Sequence, residues 1–332
     1  MLEIVLSLLA LAAGFFMLAK GADWFVDGSV GIATKLKIPQ LVIGLTIVAM
    51  GTSAPEAAVS ISAALQENGA ITVGNVVGSN ILNILIILGI SSVITSLAVS
   101  KATMRVDIPV MSVATILLLI VGLNGTIVWW EGLIILVVFV SYLAYLFVDA
   151  KKNGMGVSEP TQGSGADHSQ GDAIAELPQE KPYFLLKSIL FALVGLALII
   201  LGSEFSVEAA TRIARIAGLS NKFIGLTIVA LGTSLPELFT SVSAALKKNA
   251  DIAIGNIVGS NIFNILFIVG LSSIITPIEF ASSFIVDTII ALLAGIMLFL
   301  CALKGRQLRR WGGIVMLLSY VAYFIYIFFF AN

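Results

Sequence analysis

The stretch GLTIVAMGTSAPEAAVSISAALQENGAITVGNVVGSNILNILIILGISSVIT, residues 44–95, returns at residues 225–276 as GLTIVALGTSLPELFTSVSAALKKNADIAIGNIVGSNIFNILFIVGLSSIIT. The two align without a gap, and about two thirds of the positions are identical. Shared apolar composition would match leucine with isoleucine. It would not match Gly, Pro, Asn, Ser and Glu position by position. The likeness runs upstream, where GADWFVDGS at 21–29 pairs with GSEFSVEAA at 202–210. A duplication therefore decides the architecture.

Composition says where the duplicated unit lives. The chain is 59% hydrophobic and 11% charged, with a mean hydropathy of +1.08. An ordinary soluble domain carries about 25% charged residues. Too few charges remain to cover a water-facing surface, so lipid is the solvent for most of the chain. A span needs roughly 20 apolar residues. Such stretches fall near 3–20, 38–66, 71–97, 106–123, 127–148, 183–203, 219–247, 252–277, 283–303 and 312–330. The expected fold is an all-α integral membrane protein with ten transmembrane helices as two inverted five-helix repeats. The first repeat is residues 1–149 and the second is 183–332. An odd number of spans per half makes the second half enter from the opposite side. Secondary transporters use this plan, with the substrate site near the midplane between repeats. Glu3 precedes the first apolar stretch, where a signal peptide would carry positive charge, so that stretch reads as a retained span.

Residues 150–182 are rich in Gly, Ser, Pro, Asp and Glu and read as a flexible linker. The single histidine, His168, lies there and reads as solvated. The single cysteine, Cys301, reads as apolar filler, and no disulfide framework is possible. No basic domain stands out, which argues against a nucleic-acid partner. With the N-terminus outside, all but three of the 18 lysines and arginines fall on the inner side. The exceptions, Arg212, Arg215 and Lys222, share one loop. The positive-inside rule thus expects a multi-pass protein of the cell membrane, with external termini and a cytoplasmic linker.

Glu56 and Glu237 occupy the same place in the two repeats, in GTSAPE and GTSLPE, at the centre of apolar stretches. An ionisable group there costs at least about 2.5 kcal/mol and marks function by default. No Lys, Arg or His lies nearby in either span to neutralise them. The bland alternative is a pair of protonated glutamates bonded to one another. Around each lie further oxygens. Thr52 and Ser53 precede Glu56 at helical spacing, as Thr233 and Ser234 precede Glu237. In the following span Ser79 and Asn83 are four apart, as are Ser260 and Asn264. Hard cations such as calcium take six to eight oxygen ligands, carboxylates preferred. Without sulfur or imidazole the set does not suit zinc or copper. Pro55 and Pro236 lack an N–H and should break their helices, freeing carbonyls near Gly51 and Gly232. Other features read as structural: Asn75 and Asn256 as helix-to-helix bonds or ligands, Ser60, Ser62, Ser241 and Ser243 as packing. Gly74, Gly78, Gly255 and Gly259 have the spacing of close helix contacts, Asp107 and Asp287 that of helix caps, and Trp129 with Trp130 that of an interfacial belt.

At these residues the chain resembles the calcium/cation antiporter superfamily, and within it the prokaryotic sodium/calcium exchangers. The resemblance covers both halves and is carried by GTSAPE with GSNILN and GTSLPE with GSNIFN. It implies exchange of several sodium ions for one calcium ion, with no cofactor beyond the transported ions, which are the partners together with membrane lipid. It implies Glu56 and Glu237 as central ligands, and Thr52, Ser53, Ser79, Asn83, Thr233, Ser234, Ser260 and Asn264 as sodium or calcium ligands. Ala49 and Ala230 match positions that supply backbone carbonyls, and the first and sixth spans match a sliding gate. Many relatives, potassium-dependent ones included, carry aspartate where this chain has Asn264, so the departure argues against potassium cotransport. Proton/calcium exchangers carry a different, more acidic repeat, which makes protons the lesser alternative. A channel would use the glutamates as a selectivity ring without needing a counter-ion. An intramembrane serine protease would need a basic partner for Ser53 or Ser234, and these spans supply none in their cores.

Overall fold

The computed structural model describes residues 2–153, 185–217 and 230–330, and almost all of them are helical. Most of the 150–182 linker, with His168, lies outside the described residues, as does the start of the expected seventh span at 218–229. Eight described helices are long and apolar enough to cross a membrane, and one bent pair adds a ninth. The first half comprises α1 (Leu2–Leu36), the bent pair α2 (Gln40–Thr52) and α3 (Ala54–Leu65), α4 (Gly69–Ile94), α5 (Thr103–Gly122) and α6 (Trp129–Asn153). The second comprises α7 (Leu185–Ile216), α8 (Ala230–Thr233), α9 (Leu235–Leu246), α10 (Ala250–Ile275), α11 (Ser282–Leu303) and α12 (Arg310–Phe330).

The first and sixth spans are much longer than their apolar stretches. At about 1.5 Å per residue a helix of 35 residues is roughly 50 Å long, against a hydrocarbon layer of about 30 Å. Lys20, expected at the inner edge, therefore lies within α1, and Arg212 and Arg215 lie within α7 rather than in a loop. The helices continue because Asp23 is half-buried and Asp27, Glu204 and Glu208 are exposed on an otherwise helical pattern, and charge alone does not end a helix. α1 stops where Lys37 takes φ 55° and Pro39 follows. α3 and α9 end in the same way as each other. Glu67 and Lys248 adopt positive φ, and the N–H groups of Asn68 and Asn249 reach back to the carbonyls of Ala63 and Ala244.

α1 and α7 pack antiparallel along a seam of small residues spaced by seven. A Cβ on Gly14 would meet Gly202 O at 2.9 Å, one on Gly21 would meet Gly195 O at 2.8 Å, and one on Gly28 would meet Ser188 O at 2.6 Å. Side chains are excluded along this seam, so the backbones touch. The first helices of the two halves thus run in opposite directions, as an inverted repeat requires. α1 is also tied to α9. Asp23 Oδ1 accepts from Ser243 Oγ at 2.7 Å, and Lys247 Nζ lies 2.7 Å from Asp27 Oδ1. Ser243 is therefore more than packing.

α4 and α10 form the centre and are the most deeply buried of the described spanning helices. α10 lies against α2 through Gly255 and Gly259, where an added Cβ would come within 3.1 Å of Gly44 Cα and 2.6 Å of Leu45 O. Two short antiparallel ladders join the halves: β1 (Leu97–Ala98) pairs with β4 (Gln307–Leu308), and β2 (Thr126–Ile127) pairs with β3 (Ile278–Glu279). Asp107 and Asp287 do not cap helices. Each Oδ1 accepts a tyrosine hydroxyl at 3.0 Å, from Tyr142 and Tyr323 in the neighbouring span. Trp129 and Trp130 are exposed, as interfacial residues are.

Candidate cation site

The break between α2 and α3 is a bend of 50° at Ser53, whose φ and ψ are −81° and 8°. Pro55 stands in the first turn of α3 and cannot donate to the preceding turn. Ser234 has nearly the same backbone angles, −88° and 2°, ahead of Pro236 in α9. Each break sets a helix C-terminus on one side of the serine and a helix N-terminus on the other. Glu56 and Glu237 project from the first turn of α3 and α9, the positive end of the helix dipole. Both are fully buried.

The halves supply one another's hydrogen bonds. Ser53 Oγ donates to Glu237 Oε1 at 2.8 Å, and Ser234 Oγ donates to Glu56 Oε1 at 3.3 Å. Ser260 Oγ lies 3.5 Å from Glu237 Oε1 and 3.3 Å from the Ala49 carbonyl oxygen. Ser79 Oγ lies 3.5 Å from Ser234 Oγ. Thr52 donates to Asn256 Oδ1 at 3.0 Å. Thr233 is half-buried beside Ser234. The side-chain surroundings of Ala230 lie outside the description. A wide π-turn begins at Asn83 in α4 and at Asn264 in α10, a local underwinding that frequently accompanies functional sites.

Four acceptors in this cluster have no donor: Glu56 Oε2, Glu237 Oε2, Asn83 Oδ1 and Asn264 Oδ1. A buried unsatisfied acceptor costs about 1–3 kcal/mol, and more when charged. The two carboxylates also repel one another. The arrangement lacks positive charge and is made of oxygen. Among the described residues no three His, Cys, Asp or Glu side chains come together. Its chemistry is that of hydroxyl, amide, carbonyl and two carboxylate oxygens, a set suited to hard cations.

Asn75 and Asn256 make the helix-to-helix bonds that were one of their two expected roles, while Ser60 and Ser241 depart from theirs. Asn75 Nδ2 donates to Glu56 O at 3.1 Å and Ser60 Oγ at 2.9 Å, and Asn256 Nδ2 to Glu237 O at 3.4 Å and Ser241 Oγ at 2.9 Å. Asn75 and Asn256 thus brace the helix that carries each glutamate, and Ser60 and Ser241 are their acceptors rather than fillers. The carbonyl of Gly232 accepts from Ser203 Oγ at 2.7 Å, so a serine of α7 uses the oxygen freed by Pro236. Asn80 and Asn261 sit among the site's hydrogen bonds without having drawn notice in the sequence. Their presence in both copies of GSN was the available signal.

Two inverted halves around a buried cluster of oxygens at two broken helices define a membrane transporter for cations. The chain belongs to the sodium/calcium exchanger protein family, whose profile matches residues 6–148 and again 187–329. It is similar to the putative antiporter CaxA of Alkalimonas amylolytica, 37% identical, covering 93% of this chain and 95% of the relative. The sodium/calcium exchanger MaX1 of Methanosarcina acetivorans is 31% identical, covering 98% and 99%. The solved structure of the sodium-calcium exchanger NCX_Mj, soaked with sodium and calcium ions, superimposes with a TM-score of 0.81 at 30% identity, covering 98% and 99%. The chain is therefore an all-helical cation exchanger of this family, and not an enzyme.

Proposed function

We propose that the chain exchanges sodium ions for calcium by alternating access, at a site that both repeats build. The observation that supports this most is the set of four donorless buried acceptors, two of them carboxylate oxygens. A doubly charged calcium ion balances both glutamates at once. Several sodium ions sharing Thr52, Ser53, Ser79, Asn83 and the Ala49 carbonyl, with Thr233, Ser234, Ser260, Asn264 and the Ala230 carbonyl, do the same. An empty site holds about two uncompensated charges and crosses the low-dielectric barrier poorly. Only a filled site then changes sides, which couples the two fluxes. The chain's similarity to the sodium/calcium exchangers MaX1 and NCX_Mj supports this assignment.

The deciding measurement is calcium uptake into proteoliposomes at a clamped membrane potential, with sodium, potassium or proton gradients imposed one at a time. Sodium alone should drive uptake, with net charge movement. Uptake driven equally by a pH gradient would move the protein to the proton-coupled exchangers. The same reading puts both termini outside, repeats at 1–149 and 183–332, and a cytoplasmic linker at 150–182. A cysteine placed at Ser164 should then resist an impermeant thiol reagent in intact cells.

A further inference from the structure

The polarity of the asparagine cluster between α4 and α10 is set by the main chain. Asn80 Nδ2 donates to the backbone carbonyl of Asn261 at 3.2 Å, and Asn261 Nδ2 donates to that of Asn80 at 3.1 Å. A carbonyl oxygen only accepts, so each amide must turn its nitrogen toward the carbonyl and its oxygen away. The oxygen of Asn261 then accepts from Asn83 Nδ2 at 2.9 Å, and that of Asn80 accepts from Asn264 Nδ2 at 3.1 Å. With their nitrogens turned toward the partner amide, Asn83 and Asn264 direct their oxygens the other way, and both Oδ1 atoms are buried without a donor. Amide orientation is ordinarily ambiguous because O and N are alike in shape. Here the two backbone carbonyls remove the ambiguity for all four side chains.

We propose that Asn80 and Asn261 are positioning residues that hold the Asn264 and Asn83 amides with oxygen, not N–H, toward the transported cation. A flipped amide would present a donor where a cation needs an acceptor. The link is crossed: an asparagine of the first half orients a ligand of the second, and the reverse. The inference rests on the reading of Asn83 and Asn264 as ligands.

A double-mutant cycle tests it. The full-length protein in proteoliposomes is assayed for half-saturating calcium and maximal rate under a fixed sodium gradient. Asn80→Ala should raise half-saturating calcium about 10- to 100-fold, as loss of a residue that orients a metal ligand does. Asn264→Ala should do the same, and Asn80→Ala added to it should cause no further rise. A merely structural role would lower the Tm of the ion-free protein and leave half-saturation in place. Unchanged half-saturation in Asn80→Ala beside an impaired Asn264→Ala overturns the proposal alone, as do effects that multiply in the double variant. Unchanged half-saturation in both Asn83→Ala and Asn264→Ala overturns the ligand reading, and the proposal with it. The pair Asn261→Ala and Asn83→Ala gives a second, independent cycle. Should the alanine variants not fold, Asn80→Ser and Asn261→Ser, too short to reach the partner amide, are read in membrane vesicles by the same criteria.

Discussion

Replacing Glu237 by glutamine keeps the side chain's shape and takes away its charge. Glu237 is fully buried, accepts from Ser53 at 2.8 Å, and leaves Oε2 without a donor. Once a calcium ion sits in the cluster, this carboxylate is half of its counter-charge. Breaking a buried charge pair by deleting one member costs about 3–5 kcal/mol. At about 1.4 kcal/mol per decade, calcium affinity should fall between about a hundredfold and several thousandfold. Sodium, with half the charge, should lose less. The ion-free protein should respond in the opposite sense. It no longer holds two repelling carboxylates in one low-dielectric site, so its Tm should rise while calcium ceases to raise it further. Radiolabelled calcium uptake gives the first quantity, and thermal unfolding in detergent with and without calcium gives the second. A Glu237→Gln protein with half-saturating calcium within threefold of wild type, still stabilised by calcium, would refute the argument.

Ser53→Ala removes a hydrogen bond to a buried carboxylate, worth about 1.5–3 kcal/mol, so a thermal melt of the ion-free protein should show a lower Tm. Gly259→Ala places a Cβ 2.6 Å from Leu45 O and 2.8 Å from Ala49 Cβ; overpacking of about 1–3 kcal/mol should lower Tm and slow exchange together. Tyr142→Phe leaves both oxygens of Asp107 without the tyrosine donor, at about 1–3 kcal/mol, and a thermal melt should show the loss with ion affinity unchanged. Lys247→Gln breaks contacts to Asp23 and Asp27 that are partly exposed, so it should cost about 1 kcal/mol or less and shift Tm by no more than roughly 4 °C.

The parts of this molecule that sequence reading reached are those written as residue type. Position-by-position identity of Gly, Pro and Glu between residues 44–95 and 225–276 carried the duplication, the paired helix breaks and the two buried glutamates. The parts it missed are those written as direction. GSN names an asparagine without saying which way its amide faces, so Asn80 and Asn261 look like ordinary polar residues until their carbonyl partners are placed. Asp107 and Asp287 near apolar starts suggest caps, yet the tyrosines that bind them lie 35 and 36 residues away in the next span. Span ends were short for α1 and α7 because apolar content reports contact with lipid, whereas a helix continues wherever its own backbone bonds do.

The crossing of the halves also bears on how the chain is made. Glu56 takes its serine from position 234, Asn83 is held by residue 261, and β1 finds its partner only at β4. During synthesis the first five helices enter the bilayer with a buried carboxylate, an unsecured amide and an open strand edge, and all three wait for residues made much later. The amino-terminal half should thus be a target of quality control until its twin arrives. A truncated half should be degraded in cells, and the two halves co-expressed as separate polypeptides should rescue one another.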